Sequence, residues 1–171
     1  MESEHILKFI ENIRFFKSFS EGEKRKLAGS KATFRQFEKD SDIFKEGDSG
    51  TSLFVVLVGN ISLIKLSEAD VEEGRVSLKS SRERNVGELG VGAVFGEISL
   101  LTGRRRSVTA RVVSTKVVVM EITNKLIDSL IPSIQTKIHK QLLLELVNVL
   151  DDMDTRYLKL RNELDLSKQP D

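Results

Sequence analysis

A mainly β chain with flanking helices is the fold class the sequence predicts: a compact antiparallel barrel or sandwich of about 90 residues, with short helices before it and a long helix after it. Three observations lead there. The apolar period is helical at the start, alternates from residue 33, and becomes helical again after residue 124. Glycines punctuate the middle at Gly47, Gly50, Gly59, Gly87, Gly90, Gly92 and Gly103, and none follows Gly103. The last third is rich in Leu, Lys, Glu and Gln, the composition of helix.

Taken in order, residues 5–16 place Ile6, Phe9, Ile10, Ile13 and Phe16 at helical spacing, which predicts one short packed helix. Ser20 with Glu23 three residues on is a capping box opening a second helix that ends near Gly29. The alternation Thr33-Phe34-Arg35-Gln36-Phe37-Glu38 begins the strands, and further strands are expected at Leu53–Val58, Ile61–Leu66, Arg75–Lys79, Ser107–Val113 and Lys116–Ile122. The polar, acidic stretch Ser67 to Gly74 reads as a solvent-facing hairpin end. A short helix is expected over Asn124–Leu130, and Pro132 opens a long one reaching about Leu166. The expected organisation is therefore a helical segment 1–30, a β domain 31–123 and C-terminal helices 124–171. In the long helix Leu143, Leu146, Leu150, Met153, Tyr157, Leu160 and Leu164 follow steps of three and four. That stripe spans about 30 Å of helix axis, which favours pairing between two chains over packing on the chain's own domain.

Composition excludes several classes. With 27 Lys and Arg against 26 Asp and Glu, no global field draws the chain to nucleic acid or to an anionic membrane. The absence of cysteine removes disulfides, thiolate nucleophiles and sulfur-bound zinc. His5 and His139, the only histidines, both fall outside the β domain, so a histidine-clustered metal enzyme cannot be assembled there. No apolar run approaches the roughly 20 residues of a membrane span, and charges interrupt the N-terminus where a signal peptide would be apolar. A non-enzymatic cytoplasmic protein without a metal or cofactor is the expectation.

The stretch Phe95-Gly96-Glu97-Ile98-Ser99-Leu100 through Arg104-Arg105-Arg106-Ser107-Val108-Thr109 carries the chemistry. It joins a glycine at the mouth of a short helical turn, a carboxylate beside it, and an arginine followed by a hydroxyl at the start of a strand. Backbone N–H groups and a guanidinium fork suit the non-bridging oxygens of a cyclic phosphodiester, and the carboxylate suits a ribose hydroxyl. Arg104-Arg105-Arg106-Ser107-Val108 also matches a basophilic-kinase substrate pattern. A serine at the start of a barrel strand is expected to be poorly exposed, which sets that reading aside.

These residues resemble the phosphate-binding cassette of the cyclic-nucleotide-binding domain shared by bacterial catabolite-activator-type regulators, regulatory subunits of cyclic-nucleotide-dependent kinases, and nucleotide-gated channels. Phe95-Gly96-Glu97-Ile98-Ser99-Leu100 matches its first half and Arg106-Ser107-Val108-Thr109 its second, with Phe44-Lys45-Glu46-Gly47-Asp48, Gly59 and Leu89-Gly90-Val91-Gly92 in supporting positions. The resemblance covers about residues 6–150. It implies an antiparallel β-roll, a jelly-roll-like double-stranded β-helix, with N-terminal helices and a long C-terminal helix. It gives Arg106 the exocyclic phosphate oxygens, Glu97 the ribose 2′-hydroxyl, the Gly96 amide region a part in closing the cradle, and Ser107 the phosphate or purine edge. Phe95, Ile98, Ser99 and Val108 complete the implied ligand-binding set, although Val108 stands where the family prefers alanine. The implied function is a regulatory sensor of cyclic AMP, with cyclic GMP second, because the whole pattern has the flavour of bacterial regulators. A homodimer through the C-terminal helix and an unidentified effector protein are the implied partners. No helix-turn-helix follows the long helix, so a complete transcription factor is not expected. The alternative reading is a roll that has lost its ligand and serves as a dimerisation or interaction module.

Overall fold

The structure, a computed structural model, describes residues 3–29, 34–67 and 82–167. It divides into two compact units, residues 1–131 and residues 132–171.

The first unit opens with helix α1, Ser3–Glu11. The pattern over residues 5–16 does not make one helix: Ile13 is extended (φ −82°, ψ 127°), and a separate 3-10 turn follows at Arg14–Phe16. The break lets Phe15, Phe16 and Phe19 gather into one buried ring cluster, with Phe15 and Phe16 edge-on at 5.0 Å. Helix α2, Glu21–Ala28, begins with the expected capping box. The Ser20 hydroxyl oxygen accepts from the Glu23 N–H at 3.4 Å, and the Glu23 carboxylate accepts from the Ser20 N–H at 2.7 Å.

Among the described residues eight strands follow: β1 Phe34–Glu38, β2 Asp42–Phe44, β3 Ser52–Val58, β4 Ile61–Ser67, β5 Arg82–Leu89, β6 Val94–Phe95, β7 Thr109–Val112 and β8 Lys116–Thr123. They form two four-stranded antiparallel sheets, ordered β1-β8-β3-β6 and β2-β7-β4-β5. This corrects the expected mainly-β roll. Among the described residues neither sheet closes into a barrel or roll: each is open at both edges, and the edge strands β6 and β2 are only two and three residues long. With helices on the sheets and a 36-residue helix after them, the chain is mixed α/β.

Alternation explains how the sheets meet. Phe54 and Val56 of β3, Phe95 of β6, and Val117 and Val119 of β8 share one buried cluster with Ile43 and Phe44 of β2, Ile61 of β4, and Ala110 and Val112 of β7. On the other face of β3 and β8, Leu53, Val55, Leu57, Met120 and Ile122 are equally buried. Helix α3, Glu97–Thr102, packs against β3, and α4, Asn124–Ser129, against β8. Two apolar faces per strand are why Ser52–Val58 reads as a continuous apolar run.

Strand β5 was not foreseen. Its sequence, Arg-Glu-Arg-Asn-Val-Gly-Glu-Leu, is mostly polar, and it pairs along β4 at the sheet edge with a bulge opposite Leu63 and Ile64. The expected strand at Arg75–Lys79 and most of the expected hairpin end at Ser67 to Gly74 lie outside the described residues.

The second unit is helix α5, Pro132–Ser167. Along it Leu143, Leu150, Met153, Tyr157, Leu160 and Leu164 are all exposed. Among the described residues no helix is long and apolar enough to cross a membrane.

Candidate functional site

The site grows from the turn between β6 and α3. Gly96 is the N-cap of α3 and takes the left-handed conformation, φ +76°, where a side chain is strained. Space matters there as much as torsion: a Cβ on Gly96 would lie 2.6 Å from Nη1 of Arg106. Gly50, in the loop between β2 and β3, closes in from elsewhere in the chain, since a Cβ there would lie 2.3 Å from Nε and 2.4 Å from Cζ of the same residue. Two glycines thus make the volume that one guanidinium fills.

Arg106 is only 5% exposed, unusual for an arginine. Its Nη1 donates to the carbonyls of Ser52 at 2.8 Å and Gly96 at 2.7 Å, and its Nη2 donates to the Ser52 hydroxyl at 3.1 Å. The ring of Phe44 lies 4.3 Å from Cζ and that of Phe54 lies 5.5 Å away, a cation–π setting that holds the charge over the aromatic cluster Phe44, Phe54 and Phe95. Backbone bonds fix the segment: the Arg106 N–H donates to Asp48 O at 2.8 Å, and the Gly47 N–H donates to Arg106 O at 2.9 Å. Burial lowers the guanidinium's pKa, and the carboxylates of Glu121, Asp48 and Glu97 oppose that shift. Nε is buried and has no hydrogen-bond acceptor among the described residues.

The remaining sequence-derived residues divide between this cradle and its support. Glu97 is the first residue of α3, half-buried, and close enough to act electrostatically on Arg106. Phe95 is in the core with its ring against those of Phe44 and Phe54, and Ser99 is buried, whereas Ile98 is exposed at the surface of α3. Ser107 and Val108 part company. Val108 packs against the sheet core, but Ser107 is exposed, contrary to the expectation of a covered serine, because the chain from Gly103 to Val108 is irregular and β7 begins only at Thr109.

Gly50 and Ser52 escaped the sequence reading. Gly50 reads as an ordinary turn glycine and Ser52 as the polar first residue of a strand. A polar residue buried at the head of an otherwise apolar strand was the available signal.

The cyclic nucleotide-binding domain family matches residues 34–133, and the chain belongs to that family. No curated protein matches the chain. Among solved structures it is similar to a cyclic nucleotide-binding domain from Methylobacillus flagellatus KT, at 24% identity over 92% of this chain and 83% of that one, with a TM-score of 0.68. It is also similar to the N-terminal domain of a transcriptional regulator from Streptomyces coelicolor A3(2), at 20% identity over 84% of this chain and 95% of that one, TM-score 0.62. The regulatory domain of Toxoplasma gondii PKA, solved with cAMP, is 18% identical over 81% of this chain and 49% of that one, TM-score 0.58. At these identities the likeness is one of fold. The class defined is a cyclic nucleotide-binding domain.

Proposed function

We propose that the chain is a cytoplasmic sensor that binds cyclic AMP ahead of cyclic GMP and reports occupancy through the helices from residue 124 onward. The observation that carries this reading is the state of Arg106: a buried guanidinium with one edge tied to Ser52 and Gly96 and with Nε lacking an acceptor among the described residues. A buried donor without a partner is costly. An anion with two adjacent oxygens, such as the phosphate of a cyclic nucleotide, accepts from Nε and the neighbouring Nη2 together. The left-handed Gly96 sets the first amides of α3 beside the same region. Glu97 is the acceptor for the ribose 2′-hydroxyl, and the exposed Ser107 hydroxyl meets the phosphate or the purine edge. Phe95, Ile98, Ser99 and Val108 form or back the wall of the cradle.

Cyclic AMP is preferred because the sequence pattern follows bacterial regulators, and one similar regulatory domain was solved with cAMP. Output through α5 is supported by its exposed stripe of Leu143, Leu150, Met153, Tyr157, Leu160 and Leu164, which fits a homodimer and leaves the effector protein to be identified. Isothermal titration with each nucleotide tests the reading. Saturable heat with cyclic AMP, and a weaker response to cyclic GMP, is expected. No heat with either nucleotide at millimolar concentration, from folded protein, would leave an interaction module that has lost its ligand.

A further inference from the structure

We propose that Ser107 is a phosphoacceptor for a basophilic serine kinase and that its modification closes the neighbouring anion site; the second half rests on the nucleotide reading above. Arg104 and Arg105 stand three and two residues before Ser107, and the apolar Val108 follows it. A kinase groove with acidic pockets for the two arginines and an apolar pocket after the serine recognises this order of side chains. The fold presents most of it outward: Arg104, Arg105 and Ser107 are exposed, and the segment Gly103–Val108 lies between the end of α3 and the start of β7. The Ser107 side chain makes no hydrogen bond among the described residues. Two exposed side-chain contacts tether the segment, Arg105 Nη1 donating to Gly47 O at 2.7 Å and Lys65 Nζ donating to Ser107 O at 3.4 Å. Docking to a kinase also requires local release of the Arg106 backbone from the Gly47–Asp48 turn.

In the transfer, Ser107 Oγ attacks the γ-phosphorus of Mg-ATP held by the kinase. The new Oγ–P bond forms as the bond to the β-phosphate oxygen breaks, ADP leaves, and the hydroxyl proton passes to the kinase's base. The product is a near-dianion one residue from Arg106, with the Lys65 ammonium at hand to pair with it. It offers Arg106 an intramolecular competitor and repels a second phosphate. With up to two negative charges on the phosphoryl group, the repulsion is expected to weaken binding by about tenfold.

The full chain, Ser107→Ala, and an Arg104→Ala/Arg105→Ala double variant are incubated with the catalytic subunit of a basophilic serine kinase and Mg-ATP. Labelling is mapped by tandem mass spectrometry, and each product is then titrated with cyclic AMP. The expected result is a single phosphate on Ser107, none on Ser107→Ala, labelling slowed about tenfold in the double variant, and affinity for cyclic AMP lowered about tenfold by the phosphate. An unlabelled Ser107 beside a control peptide phosphorylated in the same tube overturns the phosphoacceptor assignment. Equal cyclic AMP affinity with and without the phosphate overturns the closing of the site. If the unmodified chain binds no cyclic AMP, the nucleotide reading fails and the closing of the site falls with it, while the mass measurement still decides the phosphoacceptor.

Discussion

Three glycine-to-alanine substitutions separate backbone strain from the seating of Arg106. Gly92 has φ +89° and open space where a Cβ would go, so Gly92→Ala meets torsional strain alone, about 1 kcal/mol. Gly50 has no positive φ, but its Cβ would lie 2.3 Å from Arg106 Nε, more than an ångström inside ordinary contact. A free arginine would swing aside at little cost. This one is held by Ser52, Gly96 and the Phe44 ring, so moving it breaks at least one buried charged hydrogen bond, about 2 kcal/mol. Gly96→Ala combines both, with φ +76° and a 2.6 Å approach to Nη1, for about 3 kcal/mol. At about 4 °C per kcal/mol for a domain of this size, thermal unfolding is expected to rank wild type, Gly92→Ala, Gly50→Ala and Gly96→Ala in falling order. Gly50→Ala unfolding at the wild-type temperature would refute the seat assigned to Arg106.

Ser52→Ala removes the hydroxyl acceptor of Nη2, and chemical denaturation should show a loss of about 1.5 kcal/mol, with weaker cyclic AMP binding alongside. Arg104→Ala and Arg105→Ala remove exposed groups, so titration should find each changing affinity by less than about fivefold. Leu150→Glu with Met153→Glu sets charges into the exposed stripe of α5, and light scattering should report a dimer for the wild type and a folded monomer for this variant. A monomeric wild type at tens of micromolar removes the pairing.

Where local chemistry decides structure, the sequence was legible. The capping box at Ser20, the strand at Leu53–Val58 and the helix start at Pro132 each depend on residues within a few positions of one another. Gly96 and Arg106 were singled out for the same reason, since they lie ten residues apart, and they meet through one hydrogen bond. What escaped depends on distant partners. Strand β5 is mostly polar because it lies at a sheet edge and is ordered by pairing with β4. Ile13 interrupts a helical pattern because three phenylalanines cluster after it. Ser52 is 54 positions from the arginine it holds. Two open sheets rather than one roll follow from the shortness of β2 and β6, which alternation alone does not reveal.

The central claim is that Arg106 offers a free, buried guanidinium edge to a cyclic phosphate, and its most direct test is calorimetric titration of cyclic AMP into wild type and Arg106→Ala side by side, with each protein's unfolding transition recorded. Removing one partner of a buried charged pair costs about 2–5 kcal/mol, so affinity is expected to fall at least about 30-fold in a variant that remains folded. A folded Arg106→Ala protein that binds cyclic AMP as tightly as the wild type would contradict the account.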